Sequence, residues 1–341
     1  MTVTLGNRSA IPAPRRGSGV FERARTVTEP ALRAAVDSLP PTTRRTVGHH
    51  FGWWDSTRTD TTGTDTTGRE DRTRTPAKAI RPALVLVAAE AVGGTPVGMA
   101  AVAAVPAAIP AAVAVELVHN FAQLRAENTI VSKVFGTTAA RLAGDALLAL
   151  AFDVLATTSH PGTATAAHTL SATIAQLIEG EAITGLDEDF RTARRRTGAL
   201  LECSAGLGGL FGGGTPAQIA ALRGFGAELG LAMQLTDDRR GIWGAGHPDL
   251  RNRKRTLPVV AALASRSATA GRIAEAYEEA LSDVDAKELA DALEADGWRD
   301  WCVAEAERHL RAALDQLEPG ITTERRQDLR AIVRLVGDRD R

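Results

Sequence analysis

The chain has little cysteine, and its charges nearly cancel. Among its 341 residues, Cys203 and Cys302 are the two cysteines, and their wide separation argues against a disulfide framework and fits a reducing cytosol. The 40 basic and 41 acidic residues give a net charge of −1. Because binding to nucleic acid or to a membrane surface normally needs a basic excess, we expect neither partner. The composition therefore predicts a cytoplasmic protein.

The sequence also lacks a clear targeting or membrane segment. Its N-terminus contains arginines and prolines without an apolar run, so it does not resemble a signal peptide. Residues 99–118 form one alanine- and valine-rich stretch that is long enough to test as a membrane span. Because this stretch contains two prolines and leads into a polar helical face, we predict a buried core helix instead.

No segment alternates apolar and polar residues in the manner of a strand, so we predict an all-α protein. Apolar residues make up 44% of the chain, enough for a sizeable core. We expect a disordered tail over residues 1–21 and one helical domain over 22–341, with a mobile Thr/Asp/Gly-rich loop at 56–75. The first helices are predicted at residues 28–39 and 42–51. Helix breaks are expected at Gly93-Gly94, Pro106, Pro110, His160-Pro161-Gly162, Gly212-Gly213-Gly214 and 244–248.

Polar residues recur at helical spacing inside three otherwise apolar segments. The first face consists of Glu116, His119, Asn120, Gln123 and Glu127. The other two faces consist of Gln234, Asp237 and Asp238, and of Gln176, Glu179, Gly180, Glu181 and Thr184. Solvent exposure would explain such faces, but the surrounding residues are apolar nearly all round, as in buried helices. Because buried polar groups need partners, we predict that the faces line a wet or ligand-filled cavity.

The adjacent carboxylates of Asp237 and Asp238 suggest what such a cavity binds. Two neighbouring carboxylates repel each other, and desolvation raises their pKa values further unless a cation is present. Mg²⁺ prefers one or two carboxylates together with phosphate oxygens and waters. The pair therefore fits a Mg²⁺-bound phosphate ligand, although an isolated Asp-Asp pair is also common on protein surfaces.

Several motifs follow one another along the chain. They are Lys78-Ala-Ile-Arg-Pro, Glu116-Leu-Val-His, Leu142-Ala-Gly-Asp-Ala-Leu-Leu, Arg196-Thr-Gly, Gln234-Leu-Thr-Asp-Asp, and an Arg/Lys run before Leu257-Pro-Val-Val. In combination and order they resemble the polyprenyl synthetase family, over about residues 28–340.

This resemblance implies an isoprenoid-synthase fold, which is a helical bundle around a central apolar cavity. It implies an enzyme that ionises an allylic diphosphate with Mg²⁺ held between two aspartate-rich helix ends. The cation is then joined to isopentenyl diphosphate or, in related terpene synthases, cyclised. Such a site needs metal and Arg/Lys donors for the leaving diphosphate and apolar walls for the carbocation. The resemblance also implies a homodimer, or a heterodimer with a related synthase.

The chain departs from the family at the first aspartate motif. After Glu-Leu-Val-His-Asn-Phe, the family continues into Asp-Asp-x-x-Asp and a loop that ends in paired arginines. Here Ala126, Glu127 and Ile130 stand at the three aspartate positions, and the shorter loop lacks the arginine pair. The segment between Trp243 and Asp249 is also shortened and lacks the usual Gly-Lys. One lost electrostatic contact costs about 10²–10³ in rate. The loss of three carboxylates and two arginines should therefore abolish ordinary two-sided Mg²⁺ chemistry and leave at most a weakened Mg²⁺ site.

Residue by residue, the resemblance and the polar faces assign roles to the groups that remain. The expected metal ligands are Asp237 and Asp238, which also count as catalytic. Glu127 and Glu181 are candidate substitute ligands or acid–base groups. The residues expected to bind the isoprenyl diphosphate are Lys78, Arg81, His119, Asn120, Gln123, Arg196, Thr197, Gln234, Arg239 and Arg240. For Lys78 and Arg81, the alternative is a pair of surface charges at the start of a helix.

Three functions fit these observations. The first is an atypical isoprenyl-diphosphate enzyme, either a prenyltransferase or a terpene cyclase, whose chemistry starts by ionisation or by protonation from a buried neutral carboxylic acid. The second is a non-catalytic paralogue that pairs with an active synthase. The third is an isoprenoid-binding protein without turnover. The retained aspartate pair favours catalysis.

Overall fold

Alanine-rich apolar segments separated by Gly and Pro clusters fold into helices along the chain. The computed structural model describes residues 18–53, 79–92, 97–126, 129–182, 190–265, 267–278 and 281–337. Within these ranges every regular element is helical, as the missing strand periodicity predicts. The all-α prediction is confirmed.

The structure contains fifteen α-helices in its described part, and one short 3₁₀ helix at Thr323–Arg326. The helices are α1 (Ser18–Asp37), α2 (Pro41–His50), α3 (Ile80–Ala91), α4 (Val97–Arg125), α5 (Ile130–Phe135), α6 (Thr137–Ala156), α7 (Thr163–Ala182), α8 (Phe190–Phe211), α9 (Pro216–Trp243), α10 (Pro248–Arg251), α11 (Leu257–Ala264), α12 (Ala268–Ala276), α13 (Asp283–Ala295), α14 (Trp298–Gln316) and α15 (Gln327–Gly337).

The centre of the bundle is built from α3, α4, α8 and α9. Nearly every residue of α3 is buried, because it packs against both α4 and α8. Helix α4 also packs on α6, while α9 packs along α8 and α14. Helix α8 contacts both α4 and α9, so it links the two helices that carry the main polar faces.

Two predicted boundaries were wrong. Helix α1 begins at Ser18 and not at residue 28, because Val20 and Phe21 are buried in the core. Pro106 and Pro110 lie inside α4 instead of breaking it. A proline removes one helical hydrogen bond, but the buried alanines and valines around these positions hold the helix by packing. The predicted loop at 56–75 lies outside the described residues.

The apolar part of α4 passes a simple test for a membrane span. Among the described residues, Val105–Arg125 is the one stretch long and apolar enough to cross a membrane, and 56% of its most apolar window is buried in the protein. Ala108 and the run from Ala111 to Val115 have almost no exposed surface. This burial agrees with the predicted core helix.

Glycines allow α8 and α9 to approach closely. A Cβ added at Gly226 would lie 2.3 Å from the backbone oxygen of Leu201. We expect Gly226→Ala to lower the free energy of unfolding by about 1–3 kcal/mol, because two helix backbones must separate. The matched control is Gly271→Ala in α12, where a Cβ meets nothing within 4 Å. That substitution should raise the free energy of unfolding by about 1 kcal/mol through helix propensity. Urea denaturation of both variants measures the two changes, and equal effects would contradict the packing assignment.

Candidate functional site

Asn120 on α4 is held by neighbouring protein groups. Its side chain is 6% exposed, and its Oδ1 lies 2.8 Å from Nε2 of His50 on α2. Its Nδ2 donates to the Glu116 backbone oxygen at 2.7 Å and to Glu116 Oε1 at 3.2 Å. The Asn120 amide thus fastens α2 to α4, a structural role that the helical spacing alone did not indicate. Its contact with substrate stays a prediction.

His119 and Gln123 form a pair on the more accessible part of α4. His119 is half-buried, Gln123 is exposed, and their Nε2 atoms lie 2.9 Å apart. Because the Gln123 amide nitrogen can only donate, His119 Nε2 accepts and the ring proton resides on Nδ1. This assignment follows from the hydrogen bond and places the N–H donor on the other side of the imidazole.

The end of α4 carries an arginine that pairs with α6. Arg125 is the last residue of α4, and its NH1 lies 3.4 Å from Oδ1 of Asp145 on α6. Thr129 then caps α5 by accepting a hydrogen bond from the Ser132 amide. Ile130, the first residue of α5, is 57% exposed. The absence of the first aspartate motif from this region stays a prediction.

Asp238 on α9 is fully buried and anchored from three directions. Gln234 Nε2 donates to Oδ1 at 2.5 Å, and the Leu257 amide donates to Oδ2 at 2.8 Å. Lys254 Nζ lies 3.7 Å from Oδ1. Leu257 is the first residue of α11, so the carboxylate also benefits from the positive end of a helix. Asp238 thereby fixes the start of α11 against α9.

Asp237 differs from its neighbour because it points outward. It is exposed, as is Arg240, and Arg239 is half-buried. The two aspartates are therefore not equivalent ligands: one faces accessible space and the other is enclosed by protein donors. Within the described residues, no three His, Cys, Asp or Glu side chains lie close enough to hold a metal ion by themselves.

Burial makes the Asp238 carboxyl a weaker acid. It raises the pKa of this carboxyl from 3.8 to about 6, although the Lys254 ammonium and the hydrogen bonds from Leu257 and Gln234 lower it in part. Because the folded pKa is above the unfolded value, the stability contribution of this group is fully present below about pH 4. That contribution is lost as the pH rises through about 6.

We therefore expect the wild-type protein to lose stability relative to Asp238→Asn between about pH 4 and pH 7. The relative loss should reach up to a few kcal/mol, since one pKa unit corresponds to about 1.4 kcal/mol. Urea denaturation of both proteins in EDTA at each pH measures it. A difference in unfolding free energy that stays constant over this range would contradict a raised pKa at Asp238.

Lys254 is a cation beside the aspartates that the sequence analysis did not single out. Its Nζ lies 3.0 Å from Asp249 Oδ2 and is also close to Asp238. The Arg/Lys run before Leu257 contained the signal, but nothing in its spacing identified which cation faces the aspartates. The fold decides this, since α10 and the following turn bring Lys254 back to α9.

The remaining predicted residues divide by position. Arg81 lies in the first turn of α3 and is half-buried. Lys78 and Glu127 lie outside the described residues, as do the side chains of Glu181, Arg196 and Thr197. The structure thus joins the candidate groups in two sets, one on α4 with its neighbours α2 and α6, and one on α9 with α10 and α11.

The polyprenyl synthetase family model matches residues 70–294, which include the polar faces of α4 and α9. The chain belongs to the polyprenyl synthetase family. The family assignment agrees with the order of motifs read from the sequence.

Relatives that are named as prenyl diphosphate synthases align with nearly the whole chain. A (2E,6E)-farnesyl diphosphate synthase of Mycobacterium tuberculosis is 35% identical over an alignment 357 positions long. The alignment covers 95% of this chain and 94% of the relative. A geranylgeranyl diphosphate synthase of the same species is 34% identical over 100% of this chain and 99% of the relative. The crystal structure of a polyprenyl synthetase from Streptomyces coelicolor superimposes with a TM-score of 0.77 at 32% identity, covering 94% of this chain and 99% of that one.

Proposed function

We propose that this polyprenyl synthetase family member is an atypical isoprenyl-diphosphate-processing enzyme, with its metal and diphosphate chemistry concentrated on α9. The observation that carries the proposal is the difference in burial and hydrogen bonding between Asp237 and Asp238. Asp238 is enclosed by Gln234, Lys254 and the Leu257 amide, while Asp237 stays exposed beside Arg239 and Arg240. The near full-length similarity to farnesyl and geranylgeranyl diphosphate synthases supports prenyl transfer over cyclisation.

Of the two adjacent aspartates on α9, Asp237 is the one whose carboxylate is accessible to a Mg²⁺ ion. Asp237 is an exposed carboxylate, and a single carboxylate with phosphate oxygens and waters is a normal Mg²⁺ environment. Asp238 has no exposed surface, so we narrow the predicted metal ligands to Asp237 and assign Asp238 to anchoring α9 and α11. A bound Mg²⁺ would neutralise charge on the leaving diphosphate.

The chain's own residues supply the rest of the site. Arg81 at the start of α3 and Arg240 beside Asp237 would bind diphosphate oxygens, because guanidinium groups donate paired hydrogen bonds to phosphate. His119, with its proton on Nδ1, would donate one further hydrogen bond. The buried alanine and valine surface of α4 would exclude water from the prenyl chain.

An exposed apolar surface supports the proposal of a dimer. Ile130, Val134 and Leu142 on the adjoining helices α5 and α6 are 57%, 49% and 61% exposed. Clustered apolar residues on a surface commonly mark a protein interface. A homodimer or a heterodimer with a related synthase would cover them, and we propose that the assembly is cytoplasmic.

A non-catalytic role is the second candidate, and the end of α4 favours it. If the first aspartate motif is absent, as the sequence predicts from Ala126, Glu127 and Ile130, one side of the usual two-sided Mg²⁺ site is missing. The Arg125–Asp145 contact and the exposed Ile130 are consistent with that prediction. In that case the protein would bind an isoprenoid, or modulate a partner synthase, without turnover.

Incubation of the purified protein with Mg²⁺ and an allylic diphosphate separates the two candidates. Geranyl, farnesyl and geranylgeranyl diphosphate are each supplied with and without isopentenyl diphosphate, and the products are analysed. A longer diphosphate, or a hydrocarbon or alcohol, supports an enzyme. Tight binding of the substrates without any product would overturn catalysis and favour the partner-subunit or binding role.

A further inference from the structure

Asp249 occupies a space that α9 leaves open. Gly241 lies four residues after Asp237 and three after Asp238, hence on the same face of α9. A Cβ added at Gly241 would lie 2.0 Å from Asp249 Oδ2 and 2.3 Å from its Cγ. The Asp249 carboxylate therefore rests directly on the helix backbone, in a position that any side chain at residue 241 would fill.

The turn between α9 and α10 is shaped to deliver this carboxylate. Gly246 and His247 both have positive φ angles, of 75° and 44°. The ring of His247 is fixed by a 2.7 Å hydrogen bond between Nδ1 and the Ile242 backbone oxygen. The left-handed conformation of a histidine is uncommon, and here it reverses the chain so that Asp249 returns to Gly241.

Lys254 is held by Asp249 at both its side chain and its backbone, and by Tyr277 at its backbone. Its N–H donates to the Asp249 backbone oxygen at 2.8 Å, and its C=O accepts from the Tyr277 hydroxyl at 3.1 Å. Its ammonium lies 3.0 Å from Asp249 Oδ2 and 3.7 Å from Asp238 Oδ1. The side chain nevertheless stays 48% exposed, so a ligand can reach it.

These contacts set the direction of an otherwise flexible cation. A lysine has four rotatable side-chain bonds, and fixing them in the absence of a ligand lowers the entropic cost when a ligand binds. Of the two carboxylates, Asp249 makes the shorter contact. Because Asp238 is also engaged by Gln234 and Leu257, Asp249 is the residue whose main polar partner is the ammonium.

We propose that Asp249 is a positioning residue that orients the Lys254 ammonium toward the diphosphate of the substrate, in a space kept open by Gly241. The inference rests on the proposed function, because it assigns a place to the diphosphate. Substitution of Gly241 by aspartate would place a side chain where the Asp249 carboxylate lies. We expect it to displace Asp249 and to weaken diphosphate binding.

The test is calorimetric binding of inorganic pyrophosphate with Mg²⁺ to the full chain. We expect Asp249→Asn to weaken binding about 10- to 100-fold, the range typical of residues that orient a ligand-binding group. Lys254→Met should weaken it similarly, and the double variant should be no weaker than Lys254→Met alone, because Asp249 acts through Lys254. Gly241→Ala should reproduce the loss while both charges remain.

The matched control is Asp283→Asn, which removes an exposed carboxylate paired with Arg251 of the same α10 turn at 3.0 Å and should leave affinity unchanged. Circular dichroism checks that each variant is folded, and the isosteric Asp249→Asn carries the test if Gly241→Ala does not fold. Wild-type affinity in Asp249→Asn, or additive losses in the double variant, would overturn the role of Asp249 alone. Failure of the wild-type protein to bind pyrophosphate would instead overturn the proposed function.

Discussion

Replacement of Asp237 by asparagine should lower turnover of an allylic diphosphate by about 10²–10³-fold. The reason is that Asp237 is the exposed carboxylate of the pair, while Asp238 is enclosed by protein donors. Removing one electrostatic contact to the developing charge in a transition state typically costs this much in rate. Steady-state kinetics with saturating Mg²⁺ measures the change.

Two controls separate this effect from a loss of structure. Asp237→Asn should leave the unfolding midpoint nearly unchanged, because an exposed side chain contributes little to stability. Asp283→Asn, at an exposed acidic position on α13, should keep full activity. Unaltered turnover in Asp237→Asn would contradict the assignment of Asp237 as a metal ligand.

Replacement of Arg81 by glutamine should weaken binding of an allylic diphosphate about 10- to 100-fold. Arg81 is half-buried in the first turn of α3, where the guanidinium and the positive end of the helix favour the same anion. Hydrogen bonds to charged groups contribute about 1.5–3 kcal/mol each, which corresponds to this range. Fluorescence or calorimetric titration with a non-reactive prenyl diphosphate analogue measures the affinity.

The comparison for Arg81 is Arg311→Gln on α14, where the arginine side chain is 68% exposed and far along the chain from either polar set. Arg311→Gln should bind the analogue as the wild-type protein does. If Arg81→Gln also binds normally, Arg81 is a surface charge at a helix start, the alternative interpretation of this motif.

The helices were predictable because their signals are local. Glycine and proline clusters at 160–162 and 212–214 do separate α6 from α7 and α8 from α9. Pro106 and Pro110 were misjudged because tertiary burial of α4 outweighs a local cost. The start of α1 was missed for the same reason: Val20 and Phe21 are buried by distant helices, which a Pro/Arg-rich neighbourhood does not reveal.

The candidate site was predictable only as a set of helical faces. Helical spacing placed Gln234, Asp237 and Asp238 on one side of α9 but could not tell which aspartate is buried. That distinction depends on Leu257 and Lys254, which are 19 and 16 residues away and reach Asp238 through the fold. Similarly, Gln176 and Glu179 were predicted to line a cavity and are exposed on α7, because periodicity does not distinguish an inner from an outer face.

The measurement that tests the central claim most directly is release of pyrophosphate from geranyl diphosphate, in the presence and absence of isopentenyl diphosphate, by the purified wild-type protein. It is followed in a coupled assay with Mg²⁺ and then with excess EDTA. An isoprenyl-diphosphate enzyme with its metal site on α9 should release pyrophosphate in Mg²⁺, stop in EDTA, and be severely slowed by Asp237→Asn. Saturable binding of geranyl diphosphate with no release under any condition would contradict catalysis and leave a binding or partner-subunit protein.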